Sequence, residues 1–151
     1  MGAEMTHEVL FRADSQERAT PQALFQALDD EFDFTVDVCA TAENAKCARY
    51  YDQAMDGLAQ PWDGRAWCNP PYGRAVGDWM AKGVAERAAG TCTRAVFLLP
   101  ARTDTRWFHT YCWDRTSHEV RSGVRLRFWK GRIRFEGAKA GAPFPSLVVI
   151  V

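Results

Sequence analysis

The sequence predicts a mixed α/β fold, with a mostly parallel sheet flanked by helices and an antiparallel strand at or near one edge. Three observations predict it. Short apolar runs alternate with stretches of helical periodicity through the earlier part of the chain. Alternating Val, Leu, Phe and Arg take over after residue 119, as in strands. The 151 residues, 47% of them hydrophobic, suffice for one core.

In chain order, residues 1–17 read as a flexible arm and residues 18–151 as one domain. Thr20 is expected to N-cap a helix with Pro21 at its first position, and Leu24, Phe25 and Leu28 recur at helical spacing. Phe34 to Ala40 reads as the first strand. Thr41 to Arg49 reads as a short helix and Tyr50-Tyr51 as a brief strand. Residues 52–64 are turn-rich, and Arg65 to Asn69 is the next strand. Val76 to Ala89 is a helix closed by Gly90. Arg94 to Leu99 is a central strand stopped by Pro100, and Thr105 to Trp113 is a further helix. Glu119 to Trp129, Arg132 to Glu136 and Leu147 to Val151 read as strands.

Composition excludes several classes. No run approaches the ~20 apolar residues of a membrane span, and Met1 to Arg12 contains no long apolar stretch of a secretory signal. A cytoplasmic protein is therefore expected. The five cysteines (Cys39, Cys47, Cys68, Cys92, Cys112) form no C-x-x-C pair, and the three histidines (His7, His109, His118) have no metal spacing, so no metal is expected. Charge is divided unevenly. Residues 1–93 carry 8 Lys/Arg against 15 Asp/Glu, net −7, and residues 94–151 carry 11 against 4, net +7. Arg121, Arg125, Arg127, Lys130, Arg132 and Arg134, with Phe128 and Trp129 among them, suit a phosphate backbone and stacking on bases. A solvated hairpin kept soluble by its arginines is the competing reading.

The most telling segment is Asn69-Pro70-Pro71-Tyr72, directly after the apolar run Ala66-Trp67-Cys68. Two prolines lack N–H donors and hold φ near −65°, and Asn69 is driven extended by the proline after it. The result is a stiff ledge at a strand's carboxyl end, where α/β sheets place ligands. An amide oxygen and a bare carbonyl there accept from a planar NH2, and an aromatic face stacks on its ring.

This motif resembles that of the amino-methyltransferases. Further segments are similar to the small phage-type DNA adenine-N6 methyltransferases: Thr20-Pro21, Phe34 to Val38, Asn44 to Cys47, Arg49-Tyr50-Tyr51, Asp56-Gly57-Leu58, Trp67 to Gly73, Leu98 to His109, and Ala142 to Ser146. The resemblance spans roughly residue 18 to the end. It implies a Rossmann-like methyltransferase fold using S-adenosylmethionine, here a reduced three-layer sandwich, because Ala40 to Arg65 leaves little room for two strand–helix units. It also implies DNA as substrate and a phage or prophage origin, and it leaves oligomeric state open, a homodimer included.

The implied roles follow residue by residue. The Asn69 side-chain oxygen and the Pro70 carbonyl accept from the exocyclic amine of a flipped-out adenine, Tyr72 stacks on the base, and Pro71 completes the ledge. Thr20, Pro21, Asp37, Asp52, Asp56 and Asn69 face the cofactor. A turn is the competing reading at Asp37 and at Asp56-Gly57, and the turn after Asp37 lacks the usual glycines. Arg102, Asp104, Arg106 and Trp107 leave the 94–99 strand near the same rim and are candidates for phosphate contacts and for shaping the target pocket; Arg132 and Arg134 of the basic patch are expected to join them in binding DNA, and Pro71 to face the substrate. Cys68 follows Trp67 and not a proline, so it reads as a buried strand residue and not as the nucleophile of a cytosine carbon-5 enzyme. Two alternatives stand beside this one. One is cytosine-N4 or protein-glutamine methylation, and the other a catalytically silent nucleic-acid or cofactor-binding module.

Overall fold

The computed structural model describes residues 19–151, so the arm expected over 1–17 lies outside the described residues. The first helix, α1, spans Gln22–Phe32 and buries Leu24, Phe25 and Leu28. Its start differs from expectation. Pro21 occupies the cap position in an extended conformation (φ −53°, ψ 132°), and no side chain of its own caps the helix. Instead the Gln22 amide donates to Glu136 Oε1 at 3.0 Å, from 114 residues away. Thr20, relieved of capping, is buried.

Strand β1 is only Val36–Asp37 and pairs parallel with β2, Gly64–Cys68. Backbone bonds from Thr35 to Arg65 and from Val38 to Trp67 extend that pairing by a residue at each end. Beyond Val38 the chain turns, because the Asp37 carboxylate takes the Cys39 amide. The expected helix over 41–49 is absent. Thr41 and Asn44 exchange side-chain bonds to each other's amides in a single capped turn. That turn does not propagate, since the Lys46 amide is diverted to Asp37 Oδ2 at 3.0 Å. Tyr50 makes one parallel bridge to Asp37 in place of the expected strand. A 3-10 turn, Gly57–Ala59, follows. Gly57 approaches the chain just past β1 so closely that a Cβ there would collide with the Val38 carbonyl oxygen.

Helix α2 spans Val76–Ala89 and ends on Gly90 at φ 96°, as the sequence predicts. Strand β3 is Cys92–Pro100 and helix α3 is Arg106–Tyr111, N-capped by Thr105, whose hydroxyl accepts from the Phe108 amide. Strands β4 (Trp113–Asp114) and β5 (Glu119–Val120) form a separate antiparallel pair. Strand β6 is Arg125–Phe128 and β7 is Ser146–Ile150. The main sheet has the order β1-β2-β3-β7-β6, with β7 antiparallel to both neighbours. The reversed strand therefore lies one place in from the edge. Arg132 to Glu136 forms no strand; apart from a bridge between Ala19 and Glu136, it crosses as a loop. Its alternating Ile133 and Phe135 are nevertheless buried, which accounts for the strand-like pattern.

Alternate residues of β3 enter two apolar clusters. Ala95, Phe97 and Leu99 pack with Trp79 and Met80 of α2 and Trp107 and Phe108 of α3. Val96 and Leu98 pack with Leu24, Phe25 and Leu28 of α1 and with Ile133 and Phe135. This period-two division holds the sheet in a fixed register, and its carboxyl rim presents Asp37, Asn69 and Pro100 together.

Candidate active site

Asn69 leaves β2 at the sheet's carboxyl rim, and the rigid Pro70 behind it is buried. Its amide is oriented from outside the ledge, since Asn69 Nδ2 donates to Thr20 Oγ1 at 3.1 Å. Because a carboxamide is planar, fixing its nitrogen fixes where its oxygen points. Thr20, Asp37, Cys39, Asn44, Lys46, Trp67, Asn69, Pro70 and Pro71 line one narrow cleft.

Asp37 is the acidic group of that cleft and is only 2% exposed. Its two oxygens accept from the Cys39 amide (3.3 Å) and the Lys46 amide (3.0 Å). Burial dominates over those bonds and pushes the carboxyl up to about 7. Lys46 does not place its ammonium on Asp37. Its Nζ donates to Gln22 Oε1 at 3.1 Å and pairs with Glu136 Oε1 at 3.7 Å. A buried carboxylate whose hydrogen bonds among the described residues come from backbone amides, and which lines a cleft, suits a cationic ligand group.

Tyr72 donates its hydroxyl to the Leu98 carbonyl at 3.3 Å. Its ring meets Phe144 at 5.2 Å and Phe135 at 6.3 Å, edge to face in both cases. Arg102 lies over one member of this cluster, 5.8 Å from the Phe144 ring centre. The segment 135–144 thus reaches back across the sheet to the motif.

Arg102, Arg106 and Trp107 line a larger cleft of about 690 Å3 with Gly73 and Arg74. Trp107, 8% exposed, belongs mainly to the core, and Phe108 is its equal there. Asp104 faces a separate hollow with His109, Arg115 and Arg121. Other expected site residues fall elsewhere. Pro21 is a helix-cap residue outside the cleft lining. Asp52 accepts from the Met55 amide at 2.9 Å, and Asp56, at φ 57°, accepts from the Leu58 amide at 3.2 Å. Both serve the turn that carries them.

The basic patch divides. Arg127 makes a twofold contact with Glu31 of α1, both bonds 2.6 Å, and covers the Phe32 ring. Arg121 donates twice to the His109 carbonyl. Arg125, Lys130, Arg132 and Arg134 are exposed, with Arg134 donating Nε to the Ala138 carbonyl. Cys68 is fully buried and burial raises its thiol, as it does Cys47 and Cys112, each pushed up to about 12. Such thiols are poor nucleophiles at neutral pH. Among the described residues, no group of three or more His, Cys, Asp or Glu gathers as a metal centre.

The sequence reading assigns no role to Lys46, Asn44 or Glu136. Asn44 and Lys46 lie in a segment that carries the family resemblance, the one signal that marks them. Glu136 has no local signal, because its partners are Gln22 and Lys46.

The Asn-Pro-Pro-Tyr ledge thus stands at the carboxyl rim of an α/β sheet, beside the buried acid Asp37. The family model "DNA N-6-adenine-methyltransferase (Dam)" matches residues 10–150, and the chain belongs to that family. It is 30% identical over 93 residues to a DNA N-6-adenine-methyltransferase of Escherichia phage T1, a match covering 60% of this chain and 38% of the phage protein. It is 36% identical over 61 residues to an Escherichia coli (strain K12) protein described as "Putative methyltransferase YfdM", covering 35% of this chain and 67% of that one. The chain thus spans well under half of the phage relative's length.

Proposed function

We propose that this chain is an S-adenosylmethionine-dependent DNA methyltransferase acting on the N6 amine of adenine, built as a reduced Rossmann-like, three-layer methyltransferase fold. The observation that carries the reading is the Thr20–Asn69 bond, which holds the amide of the ledge in the same cleft as buried Asp37. Family membership supports adenine as the base and DNA as the partner.

The donor set of the cleft suits the methionine end of the proposed cofactor. Asp37 is buried, its lysine neighbour is engaged elsewhere, and the ammonium of the cofactor's methionine end would be its natural counter-charge. Thr20, Asp37 and Asn69 would hold the group, and when bound it supplies an electrophilic methyl on a sulfonium. The chain's own part is positioning and electrostatics. The Asn69 amide oxygen and the Pro70 carbonyl accept hydrogen bonds from the adenine amine, whose lone pair is otherwise delocalised into the ring. Acceptors fixed before the reaction favour the charge-developing nitrogen of the transition state, and holding both reactants removes much of the entropic barrier. Tyr72 provides the aromatic surface for the base, braced by Phe135 and Phe144. No covalent enzyme intermediate is needed.

A base inside a duplex cannot reach such a ledge and must be flipped out at a cost of a few kcal/mol. Phosphate contacts from Arg102, Arg106, Arg132 and Arg134 offset that cost. No helix among the described residues is long and apolar enough to cross a membrane; a phage or prophage protein working in a bacterial cytoplasm is the setting we propose.

The direct test is to incubate plasmid DNA from an unmethylated host with the protein and the methyl donor, then digest it to nucleosides for mass spectrometry. N6-methyladenine is the expected product. N4-methylcytosine in its place would overturn the choice of base, and no methylated nucleoside would overturn the activity.

A further inference from the structure

Lys46 stands in the cleft of Asp37 and Asn69 with its charge incompletely met. Among the ten residues that line that cleft it is the only cation, and its side chain is 9% exposed. An ammonium carries three N–H donors. One of them goes to Gln22 Oε1, a neutral acceptor, at 3.1 Å. The carboxylate paired with it among the described residues, Glu136, lies at 3.7 Å, well beyond the roughly 2.7–2.9 Å of a charge-assisted hydrogen bond. The Glu136 side chain is also 48% exposed, so water and salt screen its charge. A nearly buried ammonium held in this way is costly unless an anion completes it.

The turn that carries Lys46 sets two groups at once. Thr41 and Asn44 close the turn through each other's amides, and the Lys46 main-chain amide donates to Asp37 Oδ2. One residue therefore fixes the acid with its backbone and places a cation with its side chain. The two charges stay apart: burial dominates at Asp37, and the Lys46 ammonium is the weakest of the three influences that oppose it there. Closed onto each other, acid and base would leave nothing for a ligand to satisfy. Separated along one cleft, they match a group that bears an ammonium and a carboxylate on the same carbon, the α-amino acid end of a ligand. The start of α1 is the other place where a carboxylate could be met, because helix N-termini receive anions. There the Gln22 main-chain amide is already given to Glu136 Oε1 at 3.0 Å, and that carboxylate repels a second one.

From this arrangement we infer that Lys46 is the residue that selects the carboxylate of the cofactor's methionine end, while Asp37 takes the ammonium on the same carbon. The inference rests on the proposed methyltransferase reading and adds to it a specificity-determining residue for the methyl donor. Gln22 and Glu136 act behind Lys46, holding its long side chain in place and leaving donor capacity for the ligand. The competing role is a structural tie, in which Lys46 only joins the 41–49 segment to α1 and to the loop that carries Glu136. A tie has no preference for a carboxylate, and that difference can be measured without turnover.

The test is titration calorimetry of the whole chain with S-adenosylmethionine and with its decarboxylated form, which keeps the nucleoside, the sulfonium and the ammonium. Wild-type protein is expected to bind the decarboxylated form about tenfold or more weakly, the effect of one charge-assisted hydrogen bond. Lys46→Gln keeps the main-chain amide on Asp37 but removes the charge. In this variant S-adenosylmethionine should lose about that same factor, while the decarboxylated form keeps its affinity within a few fold. Lys46→Arg, which returns the cation, should restore the preference. Equal weakening of both ligands in Lys46→Gln would overturn the inference and leave Lys46 as a tie. Wild-type protein that binds both ligands equally well would overturn it without any substitution. Wild-type protein that binds neither would instead sink the cofactor reading on which the inference rests.

Discussion

Asn69 Nδ2 donates to Thr20 Oγ1 at 3.1 Å, across 49 residues of sequence. Thr20 is buried beside the start of α1, and Asn69 stands at the end of β2. This bond makes Thr20 a positioning residue for the ledge. Thr20→Val keeps the shape but removes the acceptor that orients the amide nitrogen. We expect kcat to fall by roughly 10- to 100-fold, with a stability loss of about 1 kcal/mol. Thr20→Ser should restore most of the rate. A Thr20→Val chain as fast as wild type would detach Thr20 from the chemistry.

Asn69→Ala removes the acceptor itself. Losing one fixed electrostatic partner of a transition state costs about 10²–10³ in kcat, while the proposed hold of Thr20 and Asp37 on the cofactor would remain. Calorimetry should therefore show cofactor affinity held within a few fold as turnover is lost. Substantial turnover in this variant would rule out the amine-acceptor mechanism.

Asp37 sets a pH dependence. Burial raises its carboxyl to about 7, far above its ordinary 3.8. The folded protein therefore binds a proton there that the unfolded chain has released, and folding gains most from this group below pH ~4. That contribution is lost as pH rises through 7, so the melting temperature of the ligand-free protein should decline from pH 5 to pH 8. Cofactor affinity should run the opposite way. A cationic group requires the ionised carboxylate, so affinity should weaken by up to roughly tenfold per unit below pH 7. Asp37→Asn should flatten both profiles, and thermal melts and titration calorimetry at five pH values would check both slopes.

Much of the scaffold is legible in the sequence. Val76–Ala89 with Gly90 and the run ending at Pro100 stand out because their signals are local: helical spacing, a left-handed glycine and an apolar strand. The ledge is legible for the same reason, as backbone chemistry confined to four residues. What fails depends on distant partners. Thr41 to Arg49 has a helix start signal, but Asp37 captures the Lys46 amide and stops it after one turn. Thr20 looks like a cap because its use by Asn69 is invisible until the chain folds. Arg127 looks like a free cation of the patch because Glu31 lies 96 residues away.

Glu136 joins three segments through one carboxylate, capping Gln22 and pairing with Lys46. Glu136→Ala should cost about 1 kcal/mol as a lost cap. It should also loosen the 41–49 segment that supplies the Lys46 amide to Asp37. Faster amide exchange at Lys46, beyond any change at α1, is the expected signature. Exchange altered at α1 alone would confine Glu136 to capping.

The basic patch gives a prediction that splits neighbouring arginines. Arg127 is engaged by Glu31 and lies over Phe32, so it is a tie between β6 and α1. Arg132 is exposed on the loop that follows, and Arg134 is exposed with only its Nε engaged, leaving charge to offer a phosphate. Each phosphate contact contributes about 0.9 to the slope of log affinity against log salt on duplex DNA. Arg132→Ala and Arg134→Ala should each weaken DNA binding at low salt and make that slope shallower by up to about 1. Arg127→Ala should leave the slope unchanged and lower the melting temperature instead. If Arg127→Ala flattened the slope as the other two do, the pair with Glu31 would have to open on DNA, and the patch would extend onto the sheet.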